Sequence, residues 1–148
     1  MKRYNFRLQR VLDIREVVQK KRERELASAI TMLESEKNTL FRLREKLKNY
    51  QDDIRERRRS SIFEMRFYSS YFSWLFIEIH RQIERVSNCE NNVGKSKLEL
   101  GNAYKEKKAI ENLKQRTRDE FIREFEKDEG QQNDEISLVK YFHKESYL

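Results

Sequence analysis

The fold of this chain is decided by residues 26–54, which read LASAITMLESEKNTLFRLREKLKNYQDDI. Positions separated alternately by three and four residues carry an apolar side chain at eight of nine places. The nine positions are Leu26, Ala29, Leu33, Glu36, Leu40, Leu43, Leu47, Tyr50 and Ile54. A 3-4 alternation keeps one stripe of a helix facing a partner helix, so this segment predicts a coiled-coil seam.

The composition favours long helices over a globular core. Of the 148 residues, 40% are charged and 36% hydrophobic, whereas a typical domain has about 25% and about 45–50%. There are no prolines and only three glycines, although sheets and tight turns need these residues for their backbone angles. Disorder is disfavoured because the net charge is only +7 and aromatic residues make up 11% of the chain.

A second helix is predicted to begin after an arginine-rich turn. Ser61 and Glu64 fit a capping box, in which each side chain accepts a hydrogen bond from the other residue's backbone amide. Gly130 is predicted to end this helix, and the segment after it is predicted to be either a short helix or a tail that orders on a partner. The predicted boundaries are helix 1 at about 5–57, a turn at about 58–61, helix 2 at about 62–129 and the tail or short helix at 131–148.

Helix 2 is predicted to continue the seam. Its strongest stretch runs through Phe72, Phe76, Ile79, Ile83 and Val86. A weaker stretch follows through Cys89, Val93, Leu100, Ala103, Ile110, Phe121 and Phe125. The fold class expected from these patterns is all-α, a long antiparallel two-helix coiled-coil hairpin that forms a single elongated domain over residues 1–148.

No arrangement of residues points to catalysis. The two histidines and the single cysteine show no metal-ligand spacing, and there is no glycine-rich phosphate loop. Cys89 falls in the predicted seam, where a small buried thiol is the expected role. We therefore expect no enzyme, no metal and no cofactor. The most apolar stretch, residues 71–79, is far shorter than the ~20 residues of a membrane span.

Two surface features remain. Residues 1–26 contain nine basic and four acidic side chains, a net charge of +5, and Arg55, Arg57, Arg58 and Arg59 surround the predicted turn. Such charges fit a solvated helix face, an acidic protein partner or nucleic acid. The start of helix 2 also carries more aromatic residues than a two-helix seam can bury, which predicts a docking surface that includes Trp74.

Residues 6–16, FRLQRVLDIRE, resemble the opening of FliJ-type flagellar export proteins, in which Phe-x-Leu-x-x-Val-Leu-x-x-Arg leads into a long coiled coil. The resemblance implies a non-enzymatic, stalk-like component of the flagellar type III export apparatus, located in the cytoplasm and peripherally at the cytoplasmic face of the inner membrane. Its implied partners are the hexameric export ATPase, the cytoplasmic domain of the membrane export gate, and export chaperones. No nucleic acid and no direct membrane insertion are expected.

The resemblance also implies roles for particular residues. The terminal end of family members enters the ATPase pore and promotes ATPase assembly, which implies ATPase contacts by Lys2, Arg3, Arg7 and Arg10. The gate-contacting surface of the family carries large apolar residues on both helices near the turn. This implies gate contacts by Leu43, Tyr50, Phe72, Phe76 and Ile79, to which the aromatic cluster adds Trp74.

Two points stay open at the level of the sequence. Phe76 and Ile79 fit the predicted seam as well as they fit a gate-contacting surface. A basic coiled-coil scaffold or nucleic-acid-binding protein is the alternative function, although acidic residues interrupt nearly every basic run, as in KKRERE at residues 20–25.

Overall fold

The chain folds into two long helices, α1 (Gln9–Glu56) and α2 (Ile62–Glu145). The computed structural model describes residues 3–57 and 61–145, and within these ranges it contains no β-strand. The two helices pack against each other as an antiparallel hairpin, which confirms the predicted all-α fold class. Lys2 and most of the predicted turn, residues 58–60, lie outside the described residues.

The start of α2 follows the predicted capping box. The backbone amide of Glu64 donates to Ser61 Oγ at 3.2 Å, and the amide of Ser61 donates to Glu64 Oε2 at 3.4 Å. These bonds satisfy two amides that the first turn of a helix otherwise leaves without partners. The capping box is thus confirmed, and it sets the first helical residue at Ile62.

The predicted end of helix 2 is wrong. α2 passes through Gly130 without interruption and continues to Glu145. A glycine ends a helix when it adopts the left-handed conformation, and no described glycine has a positive φ. The segment after Gly130 is therefore part of α2 as far as Glu145. Helix 1 also begins later than predicted, at Gln9, because residues 3–8 form an extended stretch and a turn.

Residues Gln19–Ala103 form one compact unit, and an apolar core lies within it. Its buried members are Leu40, Leu75, Ile79 and Val86, against which the partly buried Leu33, Leu43, Leu47 and Tyr71 pack. The α1 side of this core follows the predicted seam as far as Leu47. Ile54, the last predicted seam position, is exposed.

One polar layer interrupts this core. Gln82 is 1% exposed, and its Nε2 donates to the backbone oxygen of Glu36 at 3.0 Å and also to the Glu36 carboxylate. The Oε1 atom of Gln82 accepts from Arg85 Nη1 at 3.4 Å. Glu36 is the one polar residue of the predicted α1 seam. Its partner on α2 is the buried side-chain amide of Gln82, whose nitrogen and oxygen atoms both have hydrogen-bond partners.

The predicted seam of α2 in this unit is wrong at alternate positions. Leu75 and Gln82 face α1, whereas Phe72, Phe76 and Ile83 are exposed. Leu75 is completely buried, and the neighbouring Phe76 is 50% exposed. Of the strongest predicted stretch, only Ile79 and Val86 lie in the core. The larger apolar side chains therefore lie on the exposed side of α2. The positions that face α1 instead follow the 3-4 spacing of the rest of α2.

Adjacent alanine variants test this register. Leu75→Ala should lower the free energy of unfolding by about 2–5 kcal/mol, because it leaves a cavity in the core. Phe76→Ala should lower it by less than about 1 kcal/mol, because the ring is half exposed. Urea denaturation followed by far-UV circular dichroism measures both changes. Equal losses, or a larger loss for Phe76→Ala, would place Phe76 in the seam and contradict the register.

Candidate functional site

The second compact unit comprises Met1–Val18 and Tyr104–Leu148, and in it the start of the chain is fastened to α2. The hydroxyl of Tyr4 donates to the backbone oxygen of Lys114 at 3.1 Å and is hydrogen-bonded to Thr117 Oγ1. Its ring lies 5.6 Å from the ring of Phe121, centroid to centroid. The non-helical residues before α1 therefore have a defined position on α2.

The opening motif supplies most of the remaining contacts. Phe6 and Leu12 are buried, and the backbone amide of Gln9 donates to the oxygen of Phe6 at 3.1 Å, which forms the turn into α1. Lys114 Nζ donates to Gln9 Oε1 at 2.8 Å. Arg15 forms an ion pair across the helices with Glu106. The motif thus fixes the first turns of α1 against the second half of α2.

Three of the four cationic residues assigned to ATPase contact lie within the described residues. Arg3, Arg7 and Arg10 are exposed and form no ion pair with another described residue. α2 also brings Asp119 and Glu120 into this unit. The surface of this unit therefore carries both positive and negative charges. The net charge of residues 1–26 does not show this, because it omits the acidic residues of α2.

The fold and the fastened opening motif agree with a comparison against known families. The model of the flagellar FliJ protein family matches residues 4–146. The chain belongs to the FliJ family. No curated protein and no solved structure gives a significant match. As a FliJ-family member, the chain is a component of the flagellar export apparatus, and it serves flagellum biogenesis and protein export.

The six residues assigned to gate contact differ in exposure. Phe72, Trp74 and Phe76 are exposed on α2. Leu43 and Tyr50 are partly buried, Leu43 against the core and Tyr50 against aromatic rings of α2. Ile79 is a buried core residue. The open choice between seam and surface is therefore resolved differently for the two residues: Ile79 belongs to the seam and Phe76 to the surface.

The exposed residues also divide between two faces of α2. The rings of Phe72 and Phe76 lie 6.3 Å apart, and Phe76 packs edge-on against His80 at 4.5 Å. Trp74 follows Phe72 by two residues, which places it about 160° away around the helix axis. It stacks instead on Tyr71, at 5.8 Å. We call the first group, Phe72, Phe76 and the neighbouring exposed Ile83, the phenylalanine face.

Tyr50 lies at the α1 side of an aromatic cluster. Its ring is 5.4 Å from that of Tyr68 and 4.7 Å from that of Tyr71. Its hydroxyl oxygen is buried and has no hydrogen-bond partner among the described residues. Burial raises the pKa of Tyr50 above its ordinary value of 10.0, and the nearby Tyr68 and Tyr71 raise this pKa further.

Neither a metal-binding cluster nor a membrane-spanning helix is found among the described residues. No group of three or more His, Cys, Asp or Glu side chains among them is placed to hold a metal ion. Within residues 3–57 and 61–145, no helix is long and apolar enough to cross a membrane. Cys89 is half-buried beside the helix interface.

The buried hydroxyl of Tyr50 gives a stability prediction. Tyr50→Phe should raise the free energy of unfolding by about 1 kcal/mol at pH 7, because it removes a buried polar group without a partner. Above pH 10 the advantage should grow, since the unfolded tyrosine ionises there while the folded one resists ionisation. Urea denaturation at pH 7 and about pH 11 measures both effects, with Tyr141→Phe as the exposed control. A loss of stability in Tyr50→Phe would mean that the hydroxyl has a partner.

Proposed function

We propose that this chain is a non-enzymatic stalk of the flagellar export apparatus that joins the hexameric export ATPase to the membrane export gate. Family membership supports the assignment to the export apparatus. The observation that supports the stalk role is the antiparallel packing of α1 and α2 in each of the two units, because each unit presents exposed side chains of its own. The site of action that we propose is the cytoplasmic face of the inner membrane at the flagellar base.

The ATPase is proposed to bind the unit that contains the start of the chain. Tyr4, Phe6 and Arg15 hold this segment on α2, so that the exposed Arg3, Arg7 and Arg10 project from a fixed backbone. Lys2 directly precedes them in the sequence. A closed ring leaves little water around an inserted segment, and charge pairs are screened less there than on an open surface. Export chaperones are proposed as further, transient partners of the chain.

The gate is proposed to bind the phenylalanine face in the unit of residues Gln19–Ala103. Trp74, which the sequence also assigned to gate contact, stacks on Tyr71 away from this face and is not part of this proposal. Phe72 and Phe76 present two adjacent exposed rings, and aromatic rings of this kind are frequent energetic centres of protein interfaces. Leu43 and Tyr50 support the α1 side of this region and retain partial exposure. Ile79 contributes from beneath, as part of the core on which the face rests.

The ATPase contact is tested by a charge reversal. The triple variant Arg3→Glu, Arg7→Glu, Arg10→Glu should remain folded, since all three side chains are exposed, and should lose stimulation of ATP hydrolysis by the purified export ATPase. Added salt should weaken the wild-type stimulation in the same direction. The matched control reverses three exposed cations of α1 in the other unit, Arg42, Arg44 and Lys48. Full stimulation by the first variant would show that this end does not contact the ATPase.

The gate contact is tested by removing the two rings. The double variant Phe72→Ala, Phe76→Ala should weaken binding to the purified cytoplasmic domain of the gate by at least about tenfold, while its unfolding free energy changes little. Isothermal titration calorimetry measures the affinity. Phe41→Ala removes a more exposed ring from α1 and should bind like the wild type. If the double variant retains full affinity, the gate binds another surface.

A further inference from the structure

A second apolar stripe lies on the side of α2 opposite the phenylalanine face. It consists of Phe63, Phe67, Ser70, Trp74 and Ile77, and all five are exposed. Their spacing alternates strictly between four and three residues over two heptads, about 21 Å of helix. This is the pattern of a helix-facing seam, yet α1 does not cover it, because Leu75 and Ile79 face α1 from another side of α2. We call these five residues the outer stripe.

The outer stripe contains a complete hole for a knob from another helix. Phe63, Arg66, Phe67 and Ser70 follow the spacing i, i+3, i+4, i+7, which is the diamond of four residues that surrounds a knob in coiled-coil packing. These four residues line an open groove of about 530 Å³ together with Glu64 and Tyr68. Ser70 is the middle residue of the outer stripe, and its small side chain leaves space beside the larger rings. Phe63, which is 87% exposed, forms one wall of the groove.

Arginine residues outnumber acidic ones in and beside this groove. Glu64 lines the groove, and the exposed Glu56 lies between Arg55 and Arg57. Arg66 lies in the groove wall and forms no ion pair with another described residue. Arg55 and Arg57 are exposed at the end of α1, and Arg57 donates to the hydroxyl of Tyr68 in the groove lining at 2.8 Å. The acidic residue of the groove, Glu64, is engaged in the cap of α2. A partner that fits both features has an apolar stripe with acidic residues beside it.

From this geometry we propose that the outer stripe is a docking site for an amphipathic helix of a partner protein. An aliphatic side chain of that helix fills the hole at Ser70, and acidic residues flanking its apolar stripe pair with Arg66 and Arg57. The site is distinct from the ATPase-contacting and gate-contacting surfaces proposed above, and it does not depend on either of them.

The other occupants of an apolar face fit less well. Binding to a membrane surface requires neither 3-4 spacing nor a hole. It would also place Arg66 and Ser70 against acyl chains, which costs free energy because polar groups lose their hydration there. A second copy of this chain would bring its own arginine-edged stripe, so that Arg66 would meet like charge. An acidic amphipathic helix avoids both costs.

The test uses two synthetic helical peptides of three heptads, each with leucine at the a and d positions and no tryptophan. One carries glutamate at the flanking e and g positions and the other carries lysine, and each remains monomeric through repulsion between its own flanks. Trp74 is the single tryptophan of the chain and lies in the stripe. Its emission should therefore shift to the blue and saturate with the glutamate peptide, with an affinity at least about tenfold higher than for the lysine peptide.

Three variants sharpen the test. Phe67→Ala should weaken binding of the glutamate peptide about tenfold, and Arg66→Glu should reverse the preference in favour of the lysine peptide. Leu98→Ala, which removes an equally exposed apolar residue elsewhere on α2, should bind like the wild type. Circular dichroism checks that each variant keeps its helices, as expected for exposed positions.

Four results would overturn the proposal. Equal affinity for the two peptides would show that binding is apolar and does not depend on charge. An unchanged Trp74 emission up to about 1 mM peptide would show that the outer stripe does not bind a helix. A shift of Trp74 emission with vesicles of phosphatidylcholine and phosphatidylglycerol, but not with the peptides, would assign the stripe to a membrane surface. A shift that instead follows protein concentration, with a dimer seen by light scattering, would assign it to a second copy of the chain.

Discussion

The hydrogen bonds between Gln82 on α2 and Glu36 on α1 are the constraint on which the register of the two helices depends. Apolar side chains in a two-helix seam tolerate a slip of one heptad, because each layer resembles the next. A buried amide does not, since any other pairing would leave Gln82 and Glu36 without partners in the interface. One polar position in a coiled-coil seam is known to specify register and orientation at some cost in stability. In this hairpin the polar layer lies inside the core cluster of Leu40, Leu75, Ile79 and Val86.

The register decides which aromatic side chains reach the surface. With Leu75 and Gln82 turned towards α1, the remaining apolar residues at the start of α2 are divided between two flanks. Phe72 and Phe76 lie on one flank, and Phe67 and Trp74 lie on the other. A shift of one residue that buried Phe76 would expose Leu75 and abolish the phenylalanine face. The polar pair in the core thus determines the contact surfaces without being part of them.

Most of the fold could be predicted from the sequence because its signals are local. The 3-4 alternation of α1 and the Ser61–Glu64 capping box each depend on a few neighbouring residues, and both match the structure. The register of α2 could not be read from hydrophobicity, since the frame through Phe72 and Phe76 is more apolar than the correct one. A better signal was present. Counting back from Val93 and Cys89 in steps of three and four gives Val86, Gln82, Ile79 and Leu75, and Gln82 supplies the polar partner that Glu36 requires.

The opening motif separates the residues that hold the chain from those that are available to a partner. Phe6, Leu12 and Arg15 occupy its specified positions, and all three are used within the protein, in burial or in the ion pair with Glu106. Arg7 and Arg10 occupy its unspecified positions and project from the surface. The motif therefore encodes how this segment is fastened to α2, and it does not specify the exposed side chains. For this reason the sequence signal that identifies the family does not by itself locate the proposed contact with the ATPase, which rests on the exposure and charge of Arg3, Arg7 and Arg10.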